Sequence, residues 1–197
     1  MLFKGKKAKS QEGSTFSVRP QEGNIEFPPI KEKKTIDVRY PLIEPYAYAH
    51  IYWDAPNNEL VYSVKEPILN PDEKKMLEMI EKGIEELINI SFISVNDEKT
   101  VIEYLEKNLQ VLISELKLKV HDDSVDKFMY YIYRDFVGLN EIEPLLKDFY
   151  IEDVECNGFN TPIYLVHRKY RNLRTNISYD NLEKLTNFVE KLAQKSG

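Results

Sequence analysis

The stretch Tyr46–Trp53, which reads YAYAHIYW, alternates between two kinds of side chain and decides how this part of the chain folds. Tyrosine and histidine fill its even-numbered positions, and alanine, isoleucine and tryptophan fill its odd-numbered ones. Because successive side chains of a β-strand point to opposite faces, this period of two predicts a strand. Turn-forming residues follow over Asp54–Asn58, and Leu60, Tyr62 and Val64 alternate again. The two runs therefore predict an antiparallel hairpin.

The tyrosine side of the first strand allows two interpretations. Tyr46, Tyr48, His50 and Tyr52 can form an exposed aromatic surface for a partner, since aromatic rings with a polar tip suit such surfaces. They can also form a half-buried face that a helix covers, and this second interpretation is favoured.

Two helices are predicted after the hairpin. Asn70-Pro71-Asp72-Glu73 combines a capping residue, a proline at the first helical position and a glutamate three residues after the cap. Steps of three and four, which build one buried stripe, then separate the apolar residues Met76, Leu77, Ile80, Ile84, Leu87 and Ile88. A second helix begins near Asn96 or Asp97 and has the same spacing at Val101, Leu105, Leu109, Leu112 and Leu116. These elements predict a small α/β docking domain over residues 36–121.

A second domain is predicted over residues 122–197. Helical periodicity predicts a helix over 124–137, which Gly138 ends, and a short helix over 142–146. Short alternating runs then predict strands over 151–156, 163–167 and 173–177, and an amphipathic helix follows over 179–195. This order predicts an α+β sandwich that is incomplete at its carboxyl-terminal end. The fold class expected for the chain is therefore α+β.

Residues 1–35 differ in composition from the rest. They contain eight Lys/Arg and four Glu, which gives a net charge of +4. Since the whole chain has a net charge of −6, the remaining residues have a net charge of −10. Glycine, serine, glutamine and proline are frequent there, and no apolar periodicity is present, so a disordered basic arm is predicted. Such an arm can be attracted to an anionic membrane surface or to nucleic acid.

The chain offers no apolar run of the roughly 20 residues that a membrane-spanning helix needs, and no secretory signal peptide is recognised. A cytoplasmic location is expected. Cys156 is the only cysteine, so an internal disulfide is excluded, and it is interpreted as a small buried hydrophobe.

Several kinds of active site are excluded by their motifs. The phosphate-binding pattern Gly-x-x-x-x-Gly-Lys-Ser/Thr does not occur, and neither does Gly-x-Ser-x-Gly. His50, His121 and His167 are far apart in sequence, and none has a second ligand at helical spacing. We therefore predict no catalytic residue, no metal site and no cofactor bound by this chain alone.

The run His167–Arg174 is the unusual feature, because it contains three of the six arginines, Arg168, Arg171 and Arg174, in an otherwise acidic body. Guanidinium groups form a planar fork that suits phosphate and carboxylate. One interpretation is a hairpin that contacts an anion, and the other is a solvated hairpin whose arginines pair with neighbouring acids. Nucleic acid is not the expected partner, since an acidic body repels a phosphate backbone.

Several blocks of the sequence resemble the amino-terminal region of type II/IV secretion system ATPases, and most of all the archaeal branch that powers the archaellum and type IV pilus-like machines. The blocks are GLNEIEPLLKD at 138–148, IEDVECNG at 151–158, NTPIY at 160–164 and HRKY at 167–170, with looser matches at Tyr40-Pro41, Glu44-Pro45-Tyr46 and Glu66-Pro67. The resemblance covers roughly residues 38–197.

The resemblance implies a particular role. Members of the family form cytoplasmic hexamers that use ATP and Mg to drive protein transport through a membrane platform protein. Their nucleotide site belongs to a carboxyl-terminal RecA-like domain with a Walker A loop, which this sequence lacks, so the chain is expected to be inactive as an ATPase alone. Arginines of the amino-terminal region can reach that nucleotide, and Arg168 is the best match, followed by Arg171 and Arg174.

The expected function is thus that of a regulatory and assembly region of a hexameric secretion, pilus or archaellum ATPase, located at the inner face of the cell membrane. The alternative is a free-standing adaptor that binds a membrane or protein partner without any link to ATP hydrolysis.

Overall fold

The computed structural model of the chain describes residues 16–20, 25–87 and 97–196, and within these it shows a seven-stranded mixed sheet with helices packed on it. The predicted α+β class is confirmed. The strands are β1 (Arg19–Pro20), β2 (Asp37–Glu44), β3 (Ala47–Asp54), β4 (Glu59–Lys65), β5 (Ile151–Glu155), β6 (Pro162–His167) and β7 (Arg171–Ser178). Their spatial order is β1-β2-β3-β4-β7-β6-β5.

Helices connect and cover these strands. They are α1 (Pro71–Leu87), α2 (Glu98–Glu115), α3 (Asp122–Ile132), α4 (Glu143–Leu146) and α5 (Leu182–Ser196), with 3-10 turns at Ile30–Thr35 and Asn140–Ile142 and a π-helical turn at Tyr133–Val137. Within the described ranges, none of them combines the length and the apolar character needed to cross a bilayer.

The predicted hairpin is confirmed as β3 and β4, which pair antiparallel with Tyr52 opposite Val61. On β3, however, it is the alanine and isoleucine side that faces the core, because Ala47, Ala49 and Ile51 are fully buried. Tyr48 on the other side is 39% exposed. The interpretation that a helix covers the tyrosine side is therefore wrong for Tyr48.

A parallel pairing joins the two halves of the chain. β4 lies beside β7, with Val61 opposite Arg174, so the predicted domains over 36–121 and 122–197 contribute strands to one sheet. Their apolar residues also form one buried cluster. Neither the sheet nor the buried core is divided at residue 121.

The predicted start of α1 is confirmed in detail. The Asn70 side chain accepts hydrogen bonds from the Asp72 and Glu73 amides, and Glu73 in turn accepts one from the Asn70 amide. This reciprocal capping satisfies donors that the first turn leaves open. The same Glu73 carboxylate also accepts hydrogen bonds from Ser124 and Lys127 of α3, so the cap ties two helices together.

Part of the predicted arm is ordered, which corrects its boundary at residue 35. Phe16 is 3% exposed and stacks on Tyr46, with ring centroids 5.1 Å apart. β1 then pairs with the end of β2, and residues 30–35 form a 3-10 turn. The prediction of disorder is thus wrong for residues 16–20 and 25–35, and for the rest of the arm it lies outside the described residues.

Cys156 is a second correction. It follows the last residue of β5 and is exposed, with a free thiol. The interpretation as a buried hydrophobe assumed that the strand continued through this position, whereas β5 ends at Glu155.

We predict that Phe16→Ala lowers the free energy of unfolding by about 3 kcal/mol, because it removes a buried ring and leaves a cavity. Urea denaturation followed by circular dichroism measures the change. Phe159→Ala is the matched control, since Phe159 is 49% exposed and its truncation should cost well under 1 kcal/mol. Equal midpoints for the two variants would contradict the burial of Phe16.

Candidate anion-contacting site

The turn between β6 and β7, residues 168–170, carries the first of the predicted arginines at the surface. Arg168 is exposed, and its guanidinium carbon lies 4.2 Å from the ring centroid of Phe149. A cation over an aromatic face is attracted by the ring quadrupole, so this contact gives the side chain a preferred place without neutralising its charge. Lys169 beside it is also exposed.

Arg171 begins β7 directly after this turn and is exposed. Its backbone has φ of 62°, in the left-handed region that non-glycine residues rarely adopt. Because this conformation is unfavourable for arginine, contacts with other residues must stabilise the backbone of the turn. We call Arg168, Lys169 and Arg171 the cationic turn.

Arg174 does not belong to this group. It lies three residues further along β7, roughly 10 Å at the rise of a strand, and on the opposite side from the buried Leu173 and Thr175. Its guanidinium donates to Glu59 at 2.6 Å and to Asp54 at 3.0 Å. For Arg174 the structure thus matches the alternative in which an arginine pairs with neighbouring acids, and its contact with a nucleotide stays a prediction.

His167 holds the backbone of the turn from inside. Its ring is fully buried, and Nδ1 accepts hydrogen bonds from the amides of Lys169, at 3.1 Å, and Tyr170, at 3.3 Å. Because Nδ1 accepts, the neutral ring carries its proton on Nε2. The Arg168 amide donates to the Tyr150 carbonyl at 2.8 Å, so the turn is bonded from both sides.

Burial lowers the pKa of His167 from 6.5 to about 4, against the opposing effects of Asp148 and Glu152. The ring is therefore neutral near pH 7, which corrects its place in the predicted cationic run. The charge of the turn comes from Arg168, Lys169 and Arg171 alone.

Asp148 is the buried acceptor behind the turn. Its Oδ2 accepts hydrogen bonds from the hydroxyls of Tyr62, at 2.6 Å, and Tyr40, at 2.7 Å, and its Oδ1 accepts one from the Tyr150 amide at 2.8 Å. The Tyr40 hydroxyl also lies 3.4 Å from Nε2 of His167. Burial and the Asp148 charge raise the pKa of both tyrosines, so their hydroxyls stay protonated and donate.

These contacts bring together blocks that are distant in the sequence. Tyr40, Asp148 and the run His167–Tyr170 come from three of the blocks that carry the resemblance described above, and they meet around one carboxylate. Sequence reasoning missed this network because its members are separated by up to 127 residues. The sequence offered one signal for this network: Asp148 and His167 stand within blocks that carry the resemblance described above.

A polar cavity of about 450 Å³ lies between α1, the π-helical turn and α5. Arg134 in its wall is 8% exposed and donates to both carboxylate oxygens of Asp135 and to Glu66. Lys191 donates to Asn140 and to the Asp135 carbonyl, and burial lowers its pKa to about 8. Arg134 and Asp135 of this wall form an ion pair with each other, so the buried guanidinium is not presented to a ligand as the exposed arginines of the cationic turn are.

Among the described residues, no three His, Cys, Asp or Glu side chains are grouped so that they could bind a metal ion. The cationic turn is a different kind of candidate site. It presents two exposed guanidinium groups and one ammonium group, and hydrogen bonds to His167 and Tyr150 hold its backbone.

No known protein-family profile matches the chain. Three uncharacterized proteins of the archaeon Methanocaldococcus jannaschii are similar to it. The first is 30% identical over 167 residues, which cover 85% of this chain and 66% of that protein. The second is 27% identical over 186 residues, covering 85% of this chain and 33% of that protein, and the third is 36% identical over 72 residues, covering 36% and 9%.

The chain therefore spans about two thirds of the first relative, one third of the second and a tenth of the third. Most of this chain is matched by part of a longer protein in the first two cases.

We predict a stability loss at acid pH that depends on His167. Its pKa is lower in the folded state than in the unfolded state, so the unfolded state binds more protons between pH 4 and 6.5, and stability falls as the pH falls through this window. The contribution lost between pH 7.5 and pH 5 is about 2 kcal/mol. Burial raises the pKa of Glu81 to about 7, and this acts in the opposite direction over the same window.

The test therefore compares variants rather than the total slope. Wild type should lose about 2 kcal/mol more than His167→Gln between pH 7.5 and pH 5, as measured by urea denaturation at each pH. His121→Gln changes an exposed histidine and should retain the wild-type loss. Parallel curves for wild type and His167→Gln would contradict a buried neutral His167.

Proposed function

We propose that this chain is the amino-terminal regulatory and assembly region of a hexameric secretion, pilus or archaellum ATPase, in which the cationic turn contacts nucleotide held by a RecA-like domain. The observation that carries the proposal is the turn itself. Arg168 and Arg171 are exposed, while the backbone that presents them is bonded to a buried network. Exposed charge on a fixed base suits contact with an anion on another domain.

The chemistry favours a phosphate as that anion. A guanidinium that reaches the γ-phosphate stabilises charge in phosphoryl transfer and distinguishes a triphosphate from a diphosphate. The sequence has no phosphate-binding loop of its own, so the nucleotide and its Mg would be held by the RecA-like domain. Closure of that domain on the turn would then depend on which nucleotide is bound.

The length of the second relative supports a role as one region of a larger protein. In the second relative the matched part is 33% of the protein, which leaves ample chain for a further domain. The archaeal source of the relatives agrees with the archaeal branch that the sequence blocks resemble.

In this proposal the fold passes nucleotide-driven motion to a membrane machine. The partners are the RecA-like domain, neighbouring copies in the hexamer and a membrane platform protein at the inner face of the cell membrane. The net charge of +4 over residues 1–35 favours proximity to an anionic leaflet.

A second candidate, a free-standing adaptor, is favoured by exposed apolar side chains near β5 and α5. Leu146, Phe149 and Val189 are 48%, 65% and 53% exposed. An apolar surface of this kind is typical of a protein-binding site. An adaptor would keep its function with no ATPase present, whereas the proposed region would act only as part of one.

We predict that Arg168→Ala lowers ATP turnover about tenfold or more in the protein that contains both this chain and the RecA-like domain, because a charge-assisted contact to the transition state is lost. A steady-state phosphate-release assay measures turnover, and light scattering shows whether the hexamer remains.

Arg39→Ala is the matched control, since Arg39 is an exposed arginine on β2 whose loss should leave turnover unchanged. Wild-type turnover in Arg168→Ala would remove the proposed contact. Failure to form the hexamer would instead place Arg168 in assembly and equally contradict its role at the nucleotide.

A further inference from the structure

Phe27 lies in a socket formed by four rings. Its ring makes edge-on contacts with Tyr40, Tyr150, His167 and Tyr170, at centroid distances of 5.6, 4.7, 5.1 and 5.7 Å. Edge-to-face pairs at such distances stabilise beyond the area they bury. Three of these partners, Tyr150, His167 and Tyr170, are more than 120 residues from Phe27 in sequence, so the contacts fix where the chain runs before β2.

Two hydrogen bonds hold the segment 25–28 on either side of this ring. The Ile25 amide donates to the Tyr150 hydroxyl at 2.9 Å, and the Tyr170 hydroxyl donates to the Pro28 carbonyl at 3.1 Å. The segment is therefore bound through its backbone as well as through Phe27.

The groups that bind this segment are the same groups that hold the cationic turn. Tyr170 ends the turn, His167 accepts the amides of Lys169 and Tyr170, and Tyr150 accepts the amide of Arg168 through its carbonyl. A ring of the segment thus fills the space against which the turn is folded. Removal of that ring leaves His167, Tyr150 and Tyr170 with unfilled volume on one side.

We propose that the segment 25–28 is a positioning element for the cationic turn, with Phe27 as its positioning residue. When Phe27 is docked, His167 and Tyr150 keep the turn in the arrangement that presents Arg168 and Arg171. When Phe27 is undocked, the turn opens locally although the rest of the sheet stays folded. That the turn then contacts a nucleotide rests on the proposed function, whereas the coupling of segment and turn does not.

This arrangement also connects the amino-terminal residues to the site. Residues 1–24 continue directly into the segment, so a partner that displaces Phe27 would weaken the presentation of Arg168 and Arg171. The proposed ATPase would then lose turnover without any change at the nucleotide itself.

Hydrogen exchange of the 197-residue chain, read by nuclear magnetic resonance, tests the coupling. In Phe27→Ala the amides of Arg168, Lys169 and Tyr170 should exchange at least about tenfold faster than in wild type. Amides of the β3–β4 hairpin should change much less. Ile30→Ala is the matched control, because Ile30 is 46% exposed three residues away, and it should leave the turn amides as in wild type.

Two results would overturn the proposal. One is unchanged exchange of the turn amides in Phe27→Ala. The other is an equal acceleration in the turn and in the β3–β4 hairpin, since this would mean that Phe27 only stabilises the whole fold. Tyr170→Phe, which removes the hydroxyl that binds the Pro28 carbonyl, should accelerate the turn amides in the same direction and by a smaller factor.

The turnover assay separates this inference from the proposed function. If Arg168→Ala has wild-type turnover while Phe27→Ala still opens the turn, the nucleotide contact is wrong and the positioning stands. If Arg168→Ala lowers turnover and Phe27→Ala leaves the turn closed, the positioning is wrong and the nucleotide contact stands.

Discussion

The burial of the Asp148 carboxylate is the constraint on which the rest of the structure depends. A buried charge is costly unless its oxygens are fully hydrogen-bonded, and here two tyrosine hydroxyls and a backbone amide supply the donors. Tyr40 comes from β2 and Tyr62 from β4, so these strands and the loop before β5 must meet at one point. The parallel contact of β4 with β7 completes the same arrangement, because it brings both halves of the chain into one sheet.

The cationic turn follows from this network through His167. A neutral buried ring can accept two amides of the turn, whereas a charged one could not, so the burial that lowers the pKa of His167 also keeps the ring in the form that accepts these amides. The positive charge is thereby separated from the groups that hold the backbone. Arg168 and Arg171 remain exposed at the surface, while Arg174 is bound to Glu59 of β4 and Asp54 of β3.

Local signals predicted most of the secondary structure. The alternation in Tyr46–Trp53 and the cap at Asn70 depend on neighbouring residues only, and both are confirmed. Contacts between distant residues could not be predicted in this way. Phe16 stands in a stretch rich in serine, glycine and glutamine that has no periodicity, and its burial depends on Tyr46 and on Glu106, which accepts its amide. Of the candidate site, the sequence predicted the arginines and the possibility that they pair with acids, but not that Glu59 and Asp54 are those acids for Arg174 or that a buried His167 holds the turn.

The most direct measurement is a structure of the ring-forming protein that contains this chain, determined with a nonhydrolysable ATP analogue and Mg. The account predicts that a guanidinium nitrogen of Arg168 or Arg171 lies about 3 Å from a γ-phosphate oxygen of nucleotide held by a RecA-like domain. A nucleotide that binds to the present chain alone, or a cationic turn that faces solvent more than about 10 Å from the phosphates, beyond the screening length at 0.1 M salt, would contradict it.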